Sequence, residues 1–137
     1  FAYEVYAWSL RESGIPLLTI ECAFGNQPFT LPNSPDVIKV RSNSLLWQKE
    51  RLLNLASAWL PKSCTGVMWE DCDVVHENLN WAADTMKLLE KFRLVQIFET
   101  CNRLPEENLS NREGGDICHS FASITPKDPS ILKIGHY

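Results

Sequence analysis

The apolar positions fall into short runs, separated by polar and proline-rich breaks, whose spacing alternates between helical and extended. Tyr3, Tyr6, Ala7 and Leu10 recur at the interval of a helix face, and Gly14 followed by Pro16 predicts where that helix stops. Leu17 to Phe24 is apolar, partly β-branched and short enough for a strand closed by Gly25-Asn26-Gln27-Pro28. Pro28, Pro32 and Pro35 then punctuate an irregular connection to a second short strand, Val37 to Val40. Asn43 or Ser44 can cap a helix beginning near Leu45. Its apolar face is Leu45, Leu52, Leu55, Ala56 and Trp59; Gln48, Lys49 and Arg51 lie opposite, and Pro61 closes it. Val67-Met68-Trp69-Glu70-Asp71-Cys72-Asp73-Val74-Val75 reads as a buried strand ending in two carboxylates one residue apart. Asn78 or Asn80 caps a further helix with the stripe Ala82, Met86, Leu89 and Phe92, and Leu94 to Phe98 predicts the next strand. Glu106 to Gly115 is polar and reads as an exposed loop.

Strands alternating with amphipathic helices predict an α/β fold built on a mainly parallel sheet. Such sheets bind ligands beyond the carboxyl ends of their strands, where Asp71 and Asp73 are expected. Residues two apart on an extended chain point the same way, so both can address one cation or phosphate. A lone buried carboxylate is costly unless it is paired, hydrogen-bonded or bound to metal. Mg²⁺ and Mn²⁺ are often held by one or two carboxylates plus substrate phosphates. The plainer alternative is that the two aspartates accept backbone N–H bonds in the following turn.

Composition narrows the field. The 137 residues suit one domain, and 45% apolar with 22% charged residues is ordinary for a globular protein. A net charge of −4 argues against a nucleic-acid partner. No apolar run approaches the roughly 20 residues of a membrane span. The five cysteines are widely spaced, form no C-x-x-C pair, and read as reduced thiols serving as small core residues. Together with the lack of a signal peptide, this favours the cytoplasm, where the sequon Asn108-Leu109-Ser110 would carry no glycan. The opening inside a helix and the end at Gly135-His136-Tyr137 lead us to expect a piece of a longer protein.

Trp69-Glu70-Asp71-Cys72-Asp73-Val74-Val75 resembles the Asp-x-Asp motif of GT-A-fold glycosyltransferases, enzymes that use nucleotide-sugar donors. The resemblance extends upstream to Leu46-Trp47-Gln48-Lys49-Glu50-Arg51-Leu52-Leu53-Asn54. It extends downstream to Glu77-Asn78-Leu79-Asn80-Trp81 and Leu94-Val95-Gln96-Ile97-Phe98, covering the chain from Val37 to Phe98. It implies one GT-A-like nucleotide-sugar-binding domain over residues 1–137. That domain would have a mainly parallel, Rossmann-like sheet flanked by helices, and would lack its first strand and acceptor-side region. By the same resemblance the full-length protein would be a metal-dependent glycosyltransferase acting on an unspecified acceptor, with the activity of the isolated piece left open. Asp71 and Asp73 would hold Mn²⁺ or Mg²⁺ and touch the donor's ribose and diphosphate. Lys49 and Arg51 would lie on the nucleotide side, the alternative for both being a solvated helix face. Glu70 stands where an apolar residue is more usual. No catalytic base is assigned, and His136 stands either as a late third metal ligand or as a plain terminal histidine.

Two other readings share these residues. Haloacid-dehalogenase-like phosphatases place Asp-x-Asp at the end of an apolar strand, which would make Asp71 a nucleophile and Asp73 an acid/base; there, however, the motif lies on the first strand of the core. A non-catalytic relative would keep only the fold. His76 reads as a loop histidine close enough in sequence to approach the acidic pair, and His119 is adjacent to Cys118 and Ser120 without that making a nucleophile–base pair. Trp47, Trp59, Trp69 and Trp81 read mostly as core anchors, the alternative for one being to stack on a sugar or base ring.

Overall fold

The computed structural model describes residues 2–105 and 115–124. The chain is mixed α/β and divides into two compact units, Phe1–Ala82 and Ala83–Tyr137. The first unit opens with α1 (Ala2–Glu12), whose residues Tyr6, Ala7 and Leu10 are buried as their spacing predicts. Its end is written in the sequence. Gly14 takes φ 68, the Gly14 N–H donates to Arg11 O at 3.0 Å and the Ile15 N–H to Leu10 O at 2.9 Å. That pair of bonds satisfies the last carbonyls of the helix and needs a left-handed residue between them.

β1 (Thr19–Phe24) and β2 (Val37–Ser42) pair in parallel, with Thr19 opposite Val37 and Phe24 opposite Ser42. A parallel pair needs a long crossover, and here residues 25–36 supply it without regular secondary structure. Side chains hold that crossover in place of a backbone ladder. Glu21 accepts the Thr30 hydroxyl at 2.8 Å and the Leu31 N–H at 3.3 Å. Lys39 donates to Leu31 O at 2.6 Å and Asn33 Oδ1 at 2.9 Å, and Arg41 donates to Gln27 O at 2.8 Å. The Phe29 ring lies 5.3 Å from the Lys39 ammonium and 4.8 Å from the Arg41 guanidinium carbon. Residues 21, 39 and 41 share one face by strand alternation, so the crossover covers that face of the pair.

α2 (Lys49–Ser57) packs against β1 and buries Ala56. It starts four residues later than its apolar pattern predicts, and Leu45 and Trp47 are 83% and 79% exposed. The cause is local. The Ser44 N–H donates to Ser42 Oγ and the Leu46 N–H to Ser44 Oγ, while the Gln48 amide donates to Ser42 Oγ and Ser44 O. Serine bonds of this kind satisfy the backbone outside a helix and compete with helix formation.

Residues 64–71 have no strand ladder, and Cys72 and Asp73 form a turn. The expected buried strand is therefore an open segment, with Val67 52%, Trp69 55% and Val75 47% exposed. An apolar run becomes a buried strand only between neighbouring strands, and the parallel sheet has two strands among the described residues.

α3 (Trp81–Leu89) begins after an Asn78 turn, in which Asn78 Oδ1 accepts the Asn80 N–H at 2.9 Å. Its predicted stripe is not buried: Met86 is exposed, as is Phe92 beyond the helix end. In the second unit Leu94–Phe98 is likewise no strand, and Leu94 is 90% exposed. The strands there are β3 (Thr100–Arg103) and β4 (Asp116–His119), paired antiparallel, followed by the short helix α4 (Phe121–Ile124). All five cysteines are free thiols, but none is a core residue: Cys22 and Cys118 are half-buried, Cys64, Cys72 and Cys101 exposed. Among the described residues no helix is long and apolar enough to cross a membrane. His136, the sequon and most of the polar loop lie outside the described residues.

Candidate functional site

The site is built on residues 70–76, which join Glu70 to His76 around the two aspartates. Lacking a ladder, this segment is held by side chains. The Glu70 side chain is only 8% exposed, and its Oε2 accepts the Tyr6 hydroxyl of α1 at 2.9 Å. Its other oxygen, Oε1, lies 2.9 Å from His76 Nε2. That nitrogen is buried and makes no hydrogen bond among the described residues, so the contact is close without the alignment of a hydrogen bond. The His76 ring stacks on Trp81 at 4.2 Å between centroids, 22° from parallel. Glu70 and His76 thus meet where the segment is buried, while Asp71 and Asp73 are each exposed.

Burial, then the hydrogen bond to Glu70 and the negative charge of Glu70, Cys72 and Asp71, push the Tyr6 phenol far above its ordinary value of 10.0. Tyr6 is therefore a fixed donor to the carboxylate at any working pH.

Lys49, the first residue of α2, pairs with Asp71 Oδ1. The two side chains are 33% and 61% exposed, so the pair is a surface one, worth about 0–1 kcal/mol. Asp73 is exposed and has no partner among the described residues. Arg51 points elsewhere. Two residues along a helix turn the side chain by about 200°, and Arg51 lines a cleft of about 420 Å³ with Ser42, Ser44, Trp47, Gln48 and Glu50, beyond the carboxyl end of β2. The structure thus brings Lys49 to the acidic turn and places Arg51 on a separate surface.

No cluster of three or more histidine, cysteine or acidic side chains suited to a metal occurs among the described residues. Residues 72–73 turn rather than extend, so strand alternation does not align Asp71 with Asp73, and a cation there would need further oxygen ligands, such as substrate phosphates, besides these two carboxylates. The residues that sequence reasoning missed are Tyr6 and Trp81, and it left Glu70 without a role. The only signal was an acid in an otherwise apolar position.

Comparison with known proteins finds no matching family model, curated protein or solved structure.

Proposed function

We propose that the chain carries the donor-binding part of a metal-dependent glycosyltransferase, which moves a sugar from a nucleotide-diphosphate donor to an acceptor. The observation that carries this reading is the pair Asp71 and Asp73 on one exposed turn, tethered at its base by a buried carboxylate and faced by the Lys49 ammonium. A GT-A-like, mainly parallel sheet would include the parallel pair β1 and β2.

In this reading Asp71 and Asp73 hold Mn²⁺ or Mg²⁺, which supplies neutralising charge to the diphosphate as it leaves. Asp71 exchanges its partner Lys49 for the cation. Lys49 then turns its ammonium to the phosphate oxygens, where a compact point charge binds well. Arg51 lies with Trp47 at the separate cleft beyond β2 and has no assigned part in holding the metal.

Calorimetry with a panel of nucleoside diphosphates, with and without Mn²⁺, tests the proposal. Binding that requires Mn²⁺ and disappears in Asp71→Asn and Asp73→Asn supports it. Metal-independent binding of equal strength, or no binding to any member of the panel, overturns it.

A further inference from the structure

The register of the second unit's hairpin sets Cys101 opposite Cys118. Directly opposed residues in an antiparallel pair have Cα atoms roughly 4.5–5.5 Å apart and side chains on the same face. Both separations lie inside the range of about 4.4–6.8 Å that a disulfide bridges. A glycine marks where β4 enters this register. Gly115, at φ 97, enters β4 where a Cβ would collide with the Arg103 carbonyl and the Asn102 side chain, so the chain must approach Arg103 through a glycine.

Two further observations favour a cross-link over an idle pair of thiols. All four residues of β3 are exposed, and of β4 only Cys118 is half-buried. A two-stranded hairpin with so little core beneath it is marginal by its backbone bonds alone. His119 is next to Cys118 and points to the other face by strand alternation, so it does not join the two sulfurs as a metal ligand.

We propose that Cys101 and Cys118 form a cross-strand disulfide by exchange with a small-molecule disulfide such as oxidised glutathione. The exposed Cys101 thiolate attacks one sulfur of the oxidant, forming a mixed disulfide and releasing one glutathione thiolate. The Cys118 thiolate then attacks the Cys101 sulfur and releases the second glutathione. The two cysteine sulfurs are oxidised, the oxidant is reduced to two thiols, and the two cysteine protons end on those thiols or in water. The step is independent of the acidic turn and of any glycosyltransferase activity.

The test is to equilibrate the chain in buffers of reduced and oxidised glutathione, block remaining thiols by alkylation and map peptides without reduction. A linked Cys101–Cys118 peptide as the main oxidised species supports the proposal. So does a Cys101→Ser variant that leaves Cys118 as a glutathione adduct, with slowed amide exchange at 100–103 and 116–119 only in the oxidised wild type. Alkylation of both cysteines throughout, persistent glutathione adducts in the wild type, or Cys101 linked instead to Cys64 or Cys72 overturns it.

Discussion

Tyr6 and Glu70 lie 64 residues apart in sequence, yet they share the hydrogen bond that ties the acidic turn to α1. Tyr6 is 6% exposed and the Glu70 side chain 8%, so water cannot replace either partner. A hydrogen bond to a charged group contributes about 1.5–3 kcal/mol, and an orphaned buried donor or acceptor costs about 1–3 kcal/mol. Tyr6→Phe is therefore expected to cost about 2 kcal/mol, by leaving the carboxylate short of a donor. Glu70→Leu is expected to cost about as much, by stranding the Tyr6 hydroxyl and leaving His76 without its acidic neighbour. The double variant replaces both partners by apolar groups, so its cost should fall well short of the sum, with a coupling of about 1–2 kcal/mol. Urea unfolding of the wild type, both single variants and the double variant at neutral pH measures the cycle. Additivity within about 0.5 kcal/mol would refute the bond.

Other consequences are as direct. Tyr6 should resist ionisation when the three tyrosines are titrated by ultraviolet absorbance, and the resistant step should be missing in Tyr6→Phe. Because the folded phenol value is raised, its contribution to stability is complete below the unfolded value of 10.0 and is lost as pH rises above it; alkaline unfolding should be shallower in the variant. For Glu21, burial acts upward but is outweighed by the Thr30 and Leu31 bonds and the Lys39 charge, which hold the carboxyl below its ordinary 4.5. Its contribution is present above that value and disappears as pH falls through the lower folded one, so Glu21→Gln should flatten acid destabilisation seen in urea midpoints. Lys49→Ala should change stability by less than about 1 kcal/mol in the same assay, because its pair with Asp71 is exposed. Gly115→Ala should speed amide exchange in β3 and β4, since its Cβ has no room beside Arg103.

What the sequence made legible is local. The α1 face and its glycine stop, the two strands β1 and β2, and the irregular crossover between them follow from spacing and from Gly and Pro chemistry, which act within a few residues. The misreadings have physical causes. Leu45 to Trp47 looked like a helix face because apolar spacing carries no information about the serine bonds that delay α2. Residues 67–75 and 94–98 have the composition of buried strands, but a strand is defined by neighbours that composition does not name. β3 and β4 were invisible for the opposite reason: Thr100-Cys101-Asn102-Arg103 has no apolar face to betray it. At the site, the aspartates and Lys49 could be picked out from charge and position. The tether through Tyr6, Glu70, His76 and Trp81 could not, because its first member comes from the other end of the unit.

The most direct measurement is the electron paramagnetic resonance signal of free Mn²⁺ titrated with the chain in the presence of a nucleoside diphosphate. The acidic turn should remove Mn²⁺ from solution beyond what the nucleotide alone removes, and Asp71→Asn with Asp73→Asn should abolish the excess. Equal depletion by the wild type and the doubly substituted chain would contradict the central claim that these two carboxylates grip a cation for a sugar donor.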